Sequence, residues 1–224
     1  MIMATLQEAI EIYKMNRAYA MMAGINNIVC LYIKNGCKLT RKVRKYIIYG
    51  NHQNRVVDYH GEDVYKSTIK ACWKNLEKAP SIMTMTFSNF EELYDEVERR
   101  ITGIPHVGLL TIYDATLRLG FILPQPIYPK DYVYIQAGAS SGIKKLQKSK
   151  PSLFPMPITG AKRYSINLFK IAFNDLPSIF IEDFLCVYDN KFDKMDQLTR
   201  KDLLKGMEFH GTYPLIEPCY KYRF

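Results

Sequence analysis

The stretch from Ser88 to Gly120, SNFEELYDEVERRITGIPHVGLLTIYDATLRLG, reads as two helices joined by a tight turn. Ser88 with Glu91 three residues later has the spacing of a capping box and predicts the first helix start. Phe90, Leu93, Tyr94, Val97 and Ile101 then recur at helical spacing on one face. Gly103 predicts the end of that helix, because glycine takes the left-handed cap conformation at little cost. Pro105 stops the helix from continuing. Gly108 and Thr111 open a second helix, which Gly120 is expected to close. The fold class that follows is mainly α, organised around this hairpin, with at most a minor β element.

The joint Ile104-Pro-His-Val-Gly-Leu-Leu-Thr111 resembles the helix-hairpin-helix motif of DNA-binding and DNA-repair proteins, whose pattern is apolar, Pro, x, apolar, Gly, x, x, Thr or Ala. The resemblance covers about twenty of the 224 residues. It implies that backbone N–H groups at the start of the second helix bind a DNA phosphate, through His106, Val107, Gly108, Leu109, Leu110 and Thr111. The physical basis is general, since the first amides of a helix lack intrahelical partners and carry the positive end of its dipole. His106 stands where the family has a second glycine, so the turn here must tolerate a side chain. An ordinary helical hairpin packed in a core is the competing reading.

Working outward, the chain is rich enough in apolar residues to bury a core, at 48% hydrophobic and 13% aromatic. Its formal charge of +9 favours an anionic partner. The charge is also segregated. From Lys34 to Arg55 there are seven basic residues and no carboxylate, and Arg41, Lys42, Arg44 and Lys45 lie on the outer face of a helix expected from Thr40 to Gly50. A second acid-free block runs from Tyr132 to Asn174 and again holds seven basic residues. Within it, Gly138 to Gly142 reads as a small-residue turn before Lys144 and Lys145. Such a turn is either a plain connection or a phosphate-binding loop. Arg41, Lys42, Lys45, Lys144 and Lys145 therefore join the hairpin residues as candidate DNA contacts.

Elsewhere the pattern is helical. Thr5 with Glu8 predicts a helix running to Gly24, and Ile25 to Ile33 a buried helix or a strand. Further helices are expected over about 62–77 and 164–173, with a short one capped by Thr199 and Asp202. The segment 51–60 reads as a polar loop containing His52 and His60, and 81–87 as a short strand or linker. Proline stretches near 124–129 and 151–157 are the only hinge candidates, and a single domain over 1–224 is expected.

The resemblance extends distantly to the helix-hairpin-helix DNA glycosylases. In that family a catalytic aspartate follows the hairpin glycine at the distance that separates Asp131 from Gly108. A glycosylase-like hydrolase using Asp131 is thus the alternative function, and a non-catalytic interaction module a third. Leu110 occupies the position of the family's Schiff-base lysine, which excludes lyase chemistry there. The family's four-cysteine cluster is absent too.

The five cysteines are scattered, without metal-ligand spacing, and read as free thiols in a reducing compartment. No metal or cofactor is expected. No apolar run approaches the roughly 20 residues of a membrane span, so a cytoplasmic protein with no membrane partner is anticipated.

Overall fold

The computed structural model describes residues 5–15, 19–158 and 160–209. It is mainly α, with one two-stranded antiparallel sheet among the described residues. The first helices are α1 (Leu6–Tyr13), α2 (Tyr19–Lys34) and α3 (Arg41–Tyr49). Then come α4 (Gln53–His60), α5 (Glu62–Leu76), α6 (Phe90–Ile101) and α7 (Leu109–Ile122). After strand β1 (Tyr132–Tyr134) follow α8 (Ala137–Ser149), strand β2 (Arg163–Ser165), α9 (Lys170–Phe173), α10 (Ser178–Tyr188) and α11 (Arg200–Phe209). The described residues gather into two compact units, one spanning 23–128 and the other combining the N-terminal residues up to 22 with those from 129 onward. The division at residue 129 falls inside the first proline stretch.

The 23–128 unit is built on helices whose signals are explicit in the sequence. Thr40 caps α3 by accepting from the Val43 amide, and Gly50 ends it at a φ of +47°. A side chain at Gly50 would also collide with the Arg118 guanidinium, 2.6 Å from where its Cβ would stand. That guanidinium donates to the Ile47 carbonyl at 2.9 Å and so serves as a C-terminal cap. Arg100 performs the same service for α5. It donates to the carbonyls of Leu76 (2.9 Å), Lys78 (3.1 Å) and Pro80 (2.8 Å), while Glu96 accepts from it at 2.6 Å. The expected face of α6 (Phe90, Leu93, Tyr94, Val97, Ile101) is buried in full.

In the other unit, β1 pairs with β2 in the register Tyr132↔Ser165 and Tyr134↔Arg163. Helices α8 and α10 pack closely. A Cβ at Gly142 would overlap the Leu185 carbonyl oxygen, and one at Gly138 would lie 2.7 Å from Cys186 Sγ. Tyr13, Phe173, Phe184, Tyr188 and Phe192 form the aromatic core, and the Tyr13 hydroxyl donates to Asp183 Oδ2 at 2.7 Å.

Several expectations are corrected. Helix α6 is capped one residue later than expected, by Asn89 accepting from Glu92 N, while Glu92 reaches back to the Ser88 amide. Gly24 and Gly120 lie inside helices rather than ending them. Gly120 is small because the chain returns over α7, and a Cβ would overlap the Ile127 carbonyl oxygen. Residues 51–60 form a short 3-10 turn and then α4, a helix with no buried residue and hence no apolar period to read. Residues 82–84 form a 3-10 turn, not a strand. The helix expected from residue 164 begins instead as β2 and a 3-10 turn, with only 170–173 helical. The small residues 138–142 are helical within α8, so no turn exists there. Cys30 is disulfide-bonded, which corrects the expectation of free thiols, whereas Cys37, Cys72 and Cys186 are free. Among the described residues no helix is long and apolar enough to cross a membrane.

Candidate phosphate-binding surface

The joint between α6 and α7 contains two left-handed residues, Gly103 at φ +84° and His106 at φ +65°. His106 therefore adopts a backbone conformation that glycine holds without strain and that costs an L-residue roughly 1–2 kcal/mol. Its ring leans on that of His60, centroid to centroid 4.4 Å. The Thr68 hydroxyl of α5 donates to the Pro105 carbonyl at 3.3 Å and ties the turn to the body of the unit.

Beyond the turn, Gly108 is the N-cap of α7 in extended conformation, φ −99° and ψ 176°, and contributes no side-chain cap. Ile112 is the first residue of α7 whose amide bonds back, to the Gly108 carbonyl at 3.0 Å. The amides of Leu109, Leu110 and Thr111 have no protein partner among the described residues. Gly108 is exposed, and Leu109 is 42% exposed. Three donors without a protein partner among the described residues thus stand at the positive end of a fourteen-residue helix, with Leu109 exposed and Leu110 and Thr111 half-buried.

Beside them lies a cavity of about 160 Å³ lined by Tyr49, His52, His60, His106, Thr111 and Asp114, among others. Asp114 Oδ2 accepts from Arg118 at 2.7 Å and stands 3.9 Å from His52 Nε2. No group of three His, Cys, Asp or Glu side chains is placed to hold a metal ion among the described residues.

On the same unit, Arg41 and Lys42 are exposed on the first turn of α3. Lys45 lies over the Tyr65 ring, 5.0 Å from its centroid. Burial, with Glu62 nearby, pushes the Tyr65 hydroxyl up to about 12. It therefore stays neutral and donates to Gln53 Oε1 at 2.9 Å. Arg44 is committed differently, to an ion pair with Glu77 and to a position over Trp73, 5.5 Å from the ring.

Sequence reasoning missed the other bank of this surface. Lys66, Lys70 and Lys74 repeat every four residues along α5 and, with Arg41, Arg44 and Lys45, line a groove of about 490 Å³. The signal was present as a period of four. It was diluted by Glu62, Asp63 and Glu77, so no acid-free block marked it.

The remaining candidates belong to the unit containing α8. Lys144 and Lys145 sit mid-helix rather than at a helix start. Lys144 is exposed, whereas Lys145 is held by Asp189, Nζ to Oδ1 3.1 Å. Asp131 is exposed on the segment entering β1, where its carbonyl accepts from the Ile166 amide at 2.8 Å. Comparison with known proteins adds no relative: no family model matches the chain, and neither a curated protein nor a solved structure does.

Proposed function

We propose that this protein binds DNA through its phosphate backbone, largely without sequence specificity, and that the α6–turn–α7 segment acts as a helix-hairpin-helix. The observation that carries the reading is the run of unpartnered amides at Leu109, Leu110 and Thr111. They stand at an exposed helix start, behind a turn in which His106 keeps the left-handed backbone. A phosphate oxygen satisfies such donors and complements the helix dipole. His106 and Val107 shape the approach, and Gly108 keeps it open, with no atom within 4 Å of where its Cβ would be. Arg41, Lys42 and Lys45 of α3 add charge on the same unit. Lys144 and Lys145 lie on the other unit, where Asp189 engages Lys145.

Neutralising phosphates releases counterions, so affinity must fall with salt. With Arg41, Lys42 and Lys45 as the cations engaged, log K falls against log salt with a slope of about −2.7. Raising salt from about 50 to 200 mM then weakens binding about fortyfold. Fluorescence anisotropy with a labelled duplex at these two salts tests the idea. Micromolar or tighter binding that weakens in this way is expected. No binding at the lower salt would refute it.

A further inference from the structure

We propose that the groove between α3 and α5 is a second binding site on the 23–128 unit, and that it takes the phosphodiester backbone of single-stranded nucleic acid. It shares with the preceding reading the premise that the unit binds nucleic acid and the cations Arg41 and Lys45, while Lys66, Lys70 and Lys74 belong to the groove alone.

Two banks of cations define the groove. Lys66, Lys70 and Lys74 stand on successive turns of α5, covering about 12 Å along that helix. Arg41 and Lys45 repeat the same spacing on α3, with Arg44 between them. The floor is apolar and closed, because Ile69, Tyr65 and Trp73 are each less than one-tenth exposed. Glu77 is the one carboxylate in the lining, and Arg44 already neutralises it. Lys66 is paired with Glu62 at 3.4 Å. Arg41, Lys45, Lys70 and Lys74 make no ion pair among the described residues, so four charges are left for a ligand.

The shape selects among polyanions. A compact polyphosphate wants cations that converge on one point, whereas these are strung along a line. A duplex is convex and would meet only the rims. One strand, flanked by cations on both sides, fits the arrangement. Because the aromatic rings are buried and roofed by Arg44 and Lys45, they offer bases no free face. The groove therefore reads backbone and not sequence.

This site is separable from the hairpin. Thr68, which holds the turn, lies about 200° around α5 from Lys66. Substitutions in the lysine row therefore leave the hairpin contact in place.

Trp73 is the single tryptophan of the chain. Its indole donates to the Arg44 carbonyl at 3.1 Å, so its emission reports occupancy of the groove. The experiment titrates the full chain with a labelled ten-nucleotide oligo(dT) and, separately, with a duplex, reading anisotropy and Trp73 emission. The Lys70→Glu/Lys74→Glu double variant is measured alongside, with its unfolding temperature as the control for folding.

The expected result is oligo(dT) binding that changes Trp73 emission, with a salt slope of about −3 for four neutralised phosphates. In the double variant that slope drops by about 1.4, affinity for the single strand falls at least tenfold, and duplex affinity changes less than threefold. Besides a failure to bind oligo(dT), three outcomes overturn the proposal. The double variant holds oligo(dT) as tightly as the parent, or single strand and duplex weaken by the same factor. In the third, inorganic tripolyphosphate displaces the oligonucleotide at equal phosphate concentration, which would mark a compact-anion site. Duplex binding without oligo(dT) binding defeats this inference and leaves the hairpin reading standing, and the reverse defeats the hairpin reading alone.

Discussion

Leu109→Pro separates the hairpin's amide from everything else about the hairpin. Leu109 is the first residue of α7, its amide has no partner among the described residues, and the residue is 42% exposed. Proline is well suited to that position because the missing N–H is unpaired there anyway and the fixed φ is helical. The residue before a proline must be extended, and Gly108 already is, at φ −99° and ψ 176°. Stability should therefore hold or rise by up to about 1 kcal/mol. What disappears is one donor to an anion, worth roughly 1.5–3 kcal/mol when the acceptor is charged. That corresponds to duplex binding weakened about 10- to 150-fold. Leu109→Ala keeps the amide and removes the side chain, and should bind within about twofold of the parent. Anisotropy at low salt gives the affinities, and thermal unfolding shows that both variants are folded. The reasoning fails if the folded proline variant binds as tightly as the parent, or if the alanine variant loses as much.

Other consequences concern the scaffold. Arg100 has 6% of its side chain exposed and joins Glu96 to the carbonyls that end α5. Arg100→Met should cost about 3–5 kcal/mol in urea unfolding, the range for breaking a buried pair, and Arg100→Lys should recover only part, lacking the planar fork. Gly120→Ala drives a methyl into the Ile127 carbonyl and should cost at least about 1–3 kcal/mol. Gly108→Ala meets no neighbour within 4 Å and should cost no more than about 1 kcal/mol as an N-cap change, measured in the same assay. Hydrogen bonds from Arg99, followed by Arg100, hold the Glu96 carboxyl down at about 2, against its ordinary 4.5. A depressed folded-state value means that the stabilisation is complete above about pH 4.5 and is lost as pH falls towards 2. The stability gap between the parent and Glu96→Gln should therefore be widest near neutrality and close at the acid end. A gap independent of pH would contradict the ion-pair assignment.

What was legible in the sequence is what local chemistry dictates. Thr40 and Gly50 bracket α3 because one side chain and one left-handed glycine suffice to define its ends. The five apolar residues of α6 announce their face by period alone. Thr199 and Asp202 satisfy each other across the start of α11 as their spacing implies. Two of the misreadings, at Gly120 and at 138–142, share a cause: a close-packed neighbour, not the end of a helix, requires the small residue. Gly120 answers to Ile127, Gly138 to Cys186 and Gly142 to Leu185, and none of these partners can be identified from the glycine's own neighbours. Strands of three residues, β1 and β2, are likewise defined by a pairing about thirty residues away rather than by their own pattern. Of the candidate surface, the hairpin and the α3 cations were visible as a local motif and an acid-free block. The lysine row of α5 needed the fold, because only packing against α3 turns an exposed stripe into one side of a groove.

The most direct test of backbone binding at the hairpin is amide resolution by NMR: a two-dimensional ¹⁵N–¹H spectrum of the chain titrated with an unlabelled duplex at low salt. The Leu109, Leu110 and Thr111 amides should move downfield and saturate together, as amides do on gaining a charged acceptor, and should return as salt is raised. If duplex binds while those three amides stay where they were, the hairpin is packing and not a phosphate site.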